Sequence, residues 1–521
     1  MVAYTPEEQR VLNYFFTNLD KPIFAAKNFH PEVWALMQAR YSRSQKGMRE
    51  GFLELLKEDP ENFAKLSSAI ANGNEVQMQN AIGKAIEFME KWVLGYGHAS
   101  VAEGAVVGIG LEGVSILATK FIEDNRLCSY TEKSTRYVSF NKGSFYFDKT
   151  LKESQYGSDV QNIVNDLFDT YEQLSPVVLD YVKRKAPLKE GENEAAWTRA
   201  CGARRFDSVR YLLPAGTMTS FGWTVNARAL AYGISKLLSH PLQELRDIGE
   251  ETRVEGRKVL PSLLKYANEN NYFSETQSAM EKLTPSLVSF EKTQSAPITL
   301  VNGPQNADNV LIAAILYRYS HQPFKQLLEI VGKMEQGQKQ KVLDEYLSRQ
   351  GEFDYPLREV EHLQFTIDIL MDYGAFRDIQ RHRIMTQTNQ LLTTFHGYDT
   401  PPDITGAGVQ PEFDKVMKQA NELFTKLQPL YPWQAQYIVP MAYRKRVLIS
   451  ANLRELHHFI KLRSTRQGHY SYRMIAQQMY AILKEKYPFV VQYLVCHLTD
   501  DELGRLKAEQ KLEEKIKQGV L

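Results

Sequence analysis

Residues 363–371, LQFTIDILM, place apolar side chains at 363, 365, 367, 369 and 371. A period of two is that of a strand with one buried face. VVGIGL at 106–111 alternates similarly. Helix-like sequence follows each, GVSILATKFIEDNRL after the earlier stretch and GAFRDIQRHRI after the later one. Segments 227–266 and 453–487 carry apolar residues at helical spacing and predict long helices. Strands mixed with helices that gather late in each half predict an α+β fold. The terminal stretch DDELGRLKAEQKLEEKIKQ predicts a charged, solvent-exposed helix, to which no function is assigned.

The pattern occurs twice. LLPAGTMTSFGWTVNARAL (212–230) and IVPMAYRKRVLISANLREL (438–456) share a frame in which Pro214, Asn226 and Arg228 match Pro440, Asn452 and Arg454, at an offset of 226. Upstream, Arg40-Tyr41-Ser42 matches Arg318-Tyr319-Ser320 at an offset of 278. The offset falls along the chain, so the first copy holds extra residues, placed at the polar stretch 140–200. This is duplication of a whole domain, not a short-period solenoid. The expected domains are 1–290 and 291–521, with the boundary near 285–297.

Composition narrows the function classes. The 521 residues exceed one hydrophobic core, and 43% hydrophobic with 24% charged residues is ordinary for a soluble globular protein. Net charge is +1, and no long basic stripe occurs, which argues against a nucleic-acid binder. No apolar run of spanning length and no signal-peptide pattern is seen, so neither a membrane partner nor secretion is expected. Cys128, Cys201 and Cys496 lie far apart, against a disulfide scaffold or structural zinc and in keeping with a reducing cytoplasm. His457 and His458 are adjacent and point to different helix faces, a poor metal grip; no metal is expected.

Candidate chemistry begins at Arg381-His382-Arg383. Arginine offers a rigid fork of donors that matches phosphate, and each charge-assisted bond contributes roughly 1.5–3 kcal/mol. Taken alone, the triplet reads first as a solvated helix end. The first-copy stretch aligned with it, DNRLCSYTEKSTRY (124–137), has Asp124 and Asn125 in place of Arg381 and His382. It adds Glu132, Ser134 and Arg136, spaced two apart, which on an extended segment would share one face. Asn226 and Asn452 enter helices and suit N-caps. Arg210 precedes Pro214 by four, where the second copy has Gln436. Arg463 lies nine after Arg454, where the first copy has Leu237. A helix-surface ion pair is the plain reading of Arg463. Cys128 and Cys201 read as packing, although the basic neighbours of Cys201 would favour its thiolate.

Together these residues resemble the flavin-dependent thymidylate synthases. R-H-R-x-x-T comes from the second copy and S-x-x-E-x-S-x-R-Y from the first. GHASVAEG (97–104), with His98, and VEH (360–362) resemble the family's lead-in, and FGWTVNAR its second block. The resemblance spans most of both halves. It implies two tandem thymidylate-synthase-complementing-type domains, each a mainly antiparallel sheet with packed helices. It also implies a methyltransferase that makes dTMP from dUMP with methylenetetrahydrofolate, FAD and NADPH, in a cytoplasmic oligomer. By the same resemblance, Arg381, His382, Arg383, Asn452, Arg454, His458 and Glu132 would hold FAD. Arg136, Arg210, Ser134 and Arg463 would hold the pyrimidine nucleotide, with Arg463 and Ser134 at the chemistry. Each copy has lost what the other keeps. One composite site per chain is therefore expected, and a homodimer acting as a pseudo-tetramer. The position three before the triplet, a glutamine in the family, is Asp378 here. An altered-substrate or non-catalytic flavin and nucleotide binder of the same fold is the alternative.

Overall fold

The computed structural model describes residues 4–78, 80, 83, 100–289, 296–499 and 503–519. Among them are seven strands: β1 (Val106–Ser115), β2 (Cys128–Glu132), β3 (Met218–Asn226), β4 (Ile298–Asn302), β5 (Gln364–Asp372), β6 (Thr386–Asn389) and β7 (Arg444–Asn452). They form two sheets, ordered β1-β3-β2 and β4-β5-β7-β6. The pairs β2–β3, β4–β5, β5–β7 and β6–β7 are antiparallel. The predicted alternation at 363–371 is realised in β5, where Phe365, Ile367, Ile369 and Met371 are all buried. Registers repeat between the copies: Ser129 faces Thr224 in one sheet, and Thr386 faces Ser450 in the other. The mixed helix-and-sheet class is as expected.

Two compact units result, and they cut across the sequence repeat. One gathers Met1–Glu112, Leu127–Glu132 and Ser220–Ser289; the other gathers Gly113–Arg126, Lys133–Thr219 and Phe290–Leu521. Much of the first copy's middle, Gly113–Arg126 and Lys133–Thr219, is thus grouped with the second copy.

The first unit opens with helices Pro6–Phe15, Pro31–Tyr41, Met48–Lys57 and Pro60–Ala71. Thr5 and Glu8 form a reciprocal capping box, satisfying two donors at the first helix start. Val11, Leu12, Phe15, Phe16, Leu36 and Phe52 form the core of this bundle, with Phe15 and Phe52 rings 5.0 Å apart. The long helical segment 227–266 is two helices, Ala227–Leu238 and Gln243–Val259, interrupted at Pro241.

The second unit carries the site. Segment 453–487 is likewise a pair, Leu453–Arg463 and Tyr470–Lys486. Residues 140–200 supply the whole of a 29-residue helix, Gly157–Lys185, and the start of another, Glu194–Val209. The first packs against the 18-residue helix Gln410–Leu427. The charged terminal helix Leu506–Lys517 exists as predicted, but it is docked: Arg199 on Glu194–Val209 binds Glu509 at 2.8 Å and Glu513 at 2.6 Å.

The repeat is visible inside this unit as a two-fold pattern of backbone bonds. Pro214 bridges Pro440 antiparallel. Ala215 N donates to Val439 O at 2.9 Å, and Met441 N donates to Leu213 O at 3.0 Å. Leu117 N donates to Ala215 O, and its counterpart Gly374 N donates to Met441 O.

Candidate functional site

The site is built where β5 turns into helix Tyr373–Ile379. Asp372 caps that helix, accepting from Ala375 N at 2.7 Å. The helix ends at Ile379, and Arg381-His382-Arg383 form the turn into β6. His382 is buried. Its Nδ1 lies 2.8 Å from Glu455 Oε1, and Arg463 Nε donates to its Nε2 at 2.9 Å. Burial, with Arg463 and His458 beside it, holds the imidazole well below its ordinary pKa. The ring is therefore neutral, with Nε2 accepting and Nδ1–H donating to Glu455. Burial pushes Glu455 up to about 7. Glu455 and Arg463 sit two turns apart on Leu453–Arg463, so one histidine joins them.

Asp378 is the centre of the charge. Arg210 Nη2 approaches its carboxylate at 3.8 Å and Arg463 Nη1 at 3.9 Å, and Arg463 Nη2 donates to its carbonyl at 2.6 Å. Burial alone would raise this carboxyl, but Arg136, Arg210, Arg463 and Arg381 together hold it below its ordinary range. Arg210 is 2% exposed; it donates to Gly374 O at 3.4 Å, and its Nε is buried without a hydrogen-bond partner.

Arg136 completes the cluster. Its Nε and Nη2 donate to Asp207 Oδ1 and Oδ2 at 2.7 and 3.1 Å, and its Nη1 donates to Tyr472 Oη at 3.0 Å. Arg136 and Arg463 both lie over the Tyr472 ring, at 5.6 and 5.2 Å from its centroid. Arg505 Nη2 donates to Asp207 Oδ2 at 2.7 Å. Cations from the first copy, Arg136 and Arg210, thus meet those of the second, Arg381 and Arg463, around one carboxylate.

Not every candidate sits there. The extended face expected for Glu132, Ser134 and Arg136 does not form. The strand ends at Glu132, and Ser134 Oγ accepts from Arg136 N at 3.2 Å inside a turn, which reorients the arginine. Asn452 is an N-cap, accepting from Glu455 N at 2.8 Å. Arg454 donates to Pro356 O at 2.7 Å and pairs with Glu361 at 3.3 Å. His458 packs against His382 and Tyr355. Arg383 lines a separate cavity of about 180 Å³ with Arg126, Gln380 and His382. Burial raises the Cys201 thiol rather than lowering it. His98 lies outside the described residues.

Four contributors were not legible in the sequence: Asp207, Tyr472, Glu455 and Arg505. Asp207 lies one helical turn before Arg210, a spacing that could have flagged it. Arg505 comes from the terminal segment that carried no motif.

The reciprocal position has different chemistry. By the same offsets, Asp378 corresponds to Phe121 and Asp207 to Trp433, and those two rings are 6.2 Å apart. In Arg210's place, Gln436 accepts from Leu392 N at 3.0 Å and donates to Trp433 O at 3.0 Å. Leu392 and Thr394 are buried.

Known proteins resemble this chain at two levels. The family model "Thymidylate synthase complementing protein" matches residues 37–262 and again 299–489. UPF0159 proteins of Chlamydia pneumoniae and Chlamydia muridarum are 32% and 33% identical over 527 residues, covering 98% of this chain and 98% of each relative. A flavin-dependent thymidylate synthase of Clostridium tetani is 25% identical over 178 residues, 34% of this chain and 68% of that protein. The crystal structure of a Helicobacter pylori flavin-dependent thymidylate synthase with FAD and dUMP covers 38% of this chain and all of its own, at 16% identity and a TM-score of 0.29. With a family match on both repeats, this chain belongs to the thymidylate synthase complementing protein family.

Proposed function

We propose that this protein is a flavin-dependent methyltransferase of the thymidylate synthase type, formed by fusion of two family domains, 1–290 and 291–521. It acts on C5 of a pyrimidine, dUMP by the family reading, with methylenetetrahydrofolate as carbon donor and NADPH as reductant. The observation that carries this reading is the approach of Arg210 from the first copy and Arg463 from the second to the Asp378 carboxylate, at 3.8 and 3.9 Å, with the charges of Arg136 and Arg381 acting on the same group.

Arg126 and Arg383 would hold FAD at its pyrophosphate: they line one cavity of about 180 Å³, together with Glu123 and Asp124, and that volume suits this segment rather than a whole dinucleotide. Bound FAD would supply the reducing equivalents. Arg463 stabilises the negative charge that develops on the pyrimidine as C5 attacks the methylene carbon. Its Nε and Nη2 are committed to His382 and the Asp378 carbonyl, so its orientation is fixed before substrate arrives. Glu455 fixes the His382 tautomer that accepts from Arg463. Asn452 and Arg454 support the helix and loop around Arg463. Two chains form the pseudo-tetramer.

A second reading, a binding protein without turnover, draws on the bidentate Asp207–Arg136 pair, which engages a substrate-gripping arginine. The test is C5 tritium release from labelled dUMP and labelled deoxyuridine with reduced flavin. Release that disappears in Arg463→Ala supports turnover. Flavin binding without release from either compound supports the second reading.

A further inference from the structure

Arginine grips phosphate through two parallel N–H bonds from its fork. In this chain the Arg136 fork already holds a carboxylate in that manner, with Nε on Asp207 Oδ1 at 2.7 Å and Nη2 on Asp207 Oδ2 at 3.1 Å. The remaining nitrogen, Nη1, donates to Tyr472 Oη at 3.0 Å.

Asp207 is anchored on three sides. Arg505 Nη2 donates to the same Oδ2 at 2.7 Å. His469 Nε2–H donates to the Asp207 carbonyl at 3.0 Å, and the other ring nitrogen accepts from Ser471 N at 3.2 Å. The residue itself lies in the last turn of Glu194–Val209. The Arg136 and Asp207 side chains are only 13% and 14% exposed. Asp378 brings a second carboxylate among Arg210 and Arg463. The arrangement is one-sided, because Trp433 and Phe121 stand at the reciprocal positions.

We propose that Asp207 takes the place of a ligand phosphate on Arg136, so that the site admits a pyrimidine nucleoside or base without a phosphate group. The proposal rests on the pyrimidine reading above and makes Asp207 a specificity-determining residue. A dianionic phosphate would have to displace a carboxylate held by two arginines and then sit beside it, like charge against like charge in a buried site. A sugar hydroxyl carries no such conflict, and it can donate a hydrogen bond to the carboxylate. Discrimination of this kind comes from a built-in repulsive element as well as from attraction.

Calorimetric titration of the full chain, with and without added FAD, tests this with dUMP and deoxyuridine as probes. Wild type is expected to bind deoxyuridine at least ~10-fold more tightly than dUMP. Asp207→Asn should raise dUMP affinity by ~10-fold or more and leave deoxyuridine within about 3-fold. Asp207→Glu, which keeps the charge, should keep the preference. Wild type that prefers dUMP would overturn the proposal and leave the pyrimidine reading standing. Binding of neither compound to wild type or variant would remove the pyrimidine reading, and the proposal with it. Should Asp207→Asn fail to fold, the wild-type preference decides alone.

Discussion

Pro214 and Pro440 face each other across an antiparallel bridge, although 226 residues separate them. The same offset relates the helix caps Asn226 and Asn452. Duplication in sequence is thus a two-fold in backbone pairing, and that two-fold creates two related positions of unequal chemistry.

The Arg136–Asp207 pair is largely buried, and removing one partner leaves the other charge uncompensated. Arg505 remains on Asp207, so Arg136→Ala should destabilise the chain by about 2–3 kcal/mol rather than more. Adding Asp207→Asn to Arg136→Ala should cost less than the two separate losses by about 1–3 kcal/mol. Urea unfolding of the four proteins measures this coupling; simple additivity would mean that the pair contributes nothing.

The inequality of the two positions predicts one pyrimidine bound per chain. Trp433→Ala should cost about 1–3 kcal/mol of stability through lost packing against Phe121, with pyrimidine affinity unchanged. Calorimetry gives both the stoichiometry and the affinity. Two ligands per chain would show that the reciprocal position also binds.

Gly216 lies in the paired segment, donating its N–H to Tyr437 O at 2.8 Å. A Cβ there would come within 2.5 Å of the Phe145 ring and 3.0 Å of the Tyr437 carbonyl. The ring can turn, but the carbonyl is fixed by its own hydrogen bond. Gly216→Ala should therefore destabilise by about 1–3 kcal/mol. A thermal melt equal to wild type would show that the prolyl pairing is slack.

Lys445 on β7 is buried over the Phe376 ring at 4.8 Å. Burial pulls its ammonium down to about 7 from 10.5, against the attraction of Asp124. The unfolded chain then binds more protons between pH 7 and 10.5, so stability rises with pH across that window. Below pH 7 the cost of burying the charge is fully present. Lys445→Met should stabilise by about 2–4 kcal/mol near pH ~6 and by almost nothing near pH ~10.5. Unfolding at the two pH values checks this; a gap independent of pH would mean the ammonium is solvated.

Much of this protein is written locally in its sequence. The alternation at 363–371 makes β5, because a period of two puts Phe365, Ile367, Ile369 and Met371 on one buried face. Asn226 and Asn452 cap helices because a short side-chain amide reaches the next free N–H. The repeat frame and the division of cations between the copies are legible for the same reason, being patterns along the chain.

What tertiary structure decided is which charges meet. Arg136 reaches Asp207 across 71 positions and Tyr472 across 336, and no periodicity encodes such partners. The turn at Ser134 moved Arg136 off the expected face, the docked terminal segment brought Arg505, and the helix reaching back into 140–200 brought Asp207. Side-chain pairing over such separations is fixed by how helices pack, and packing is a property of the whole chain rather than of any one stretch.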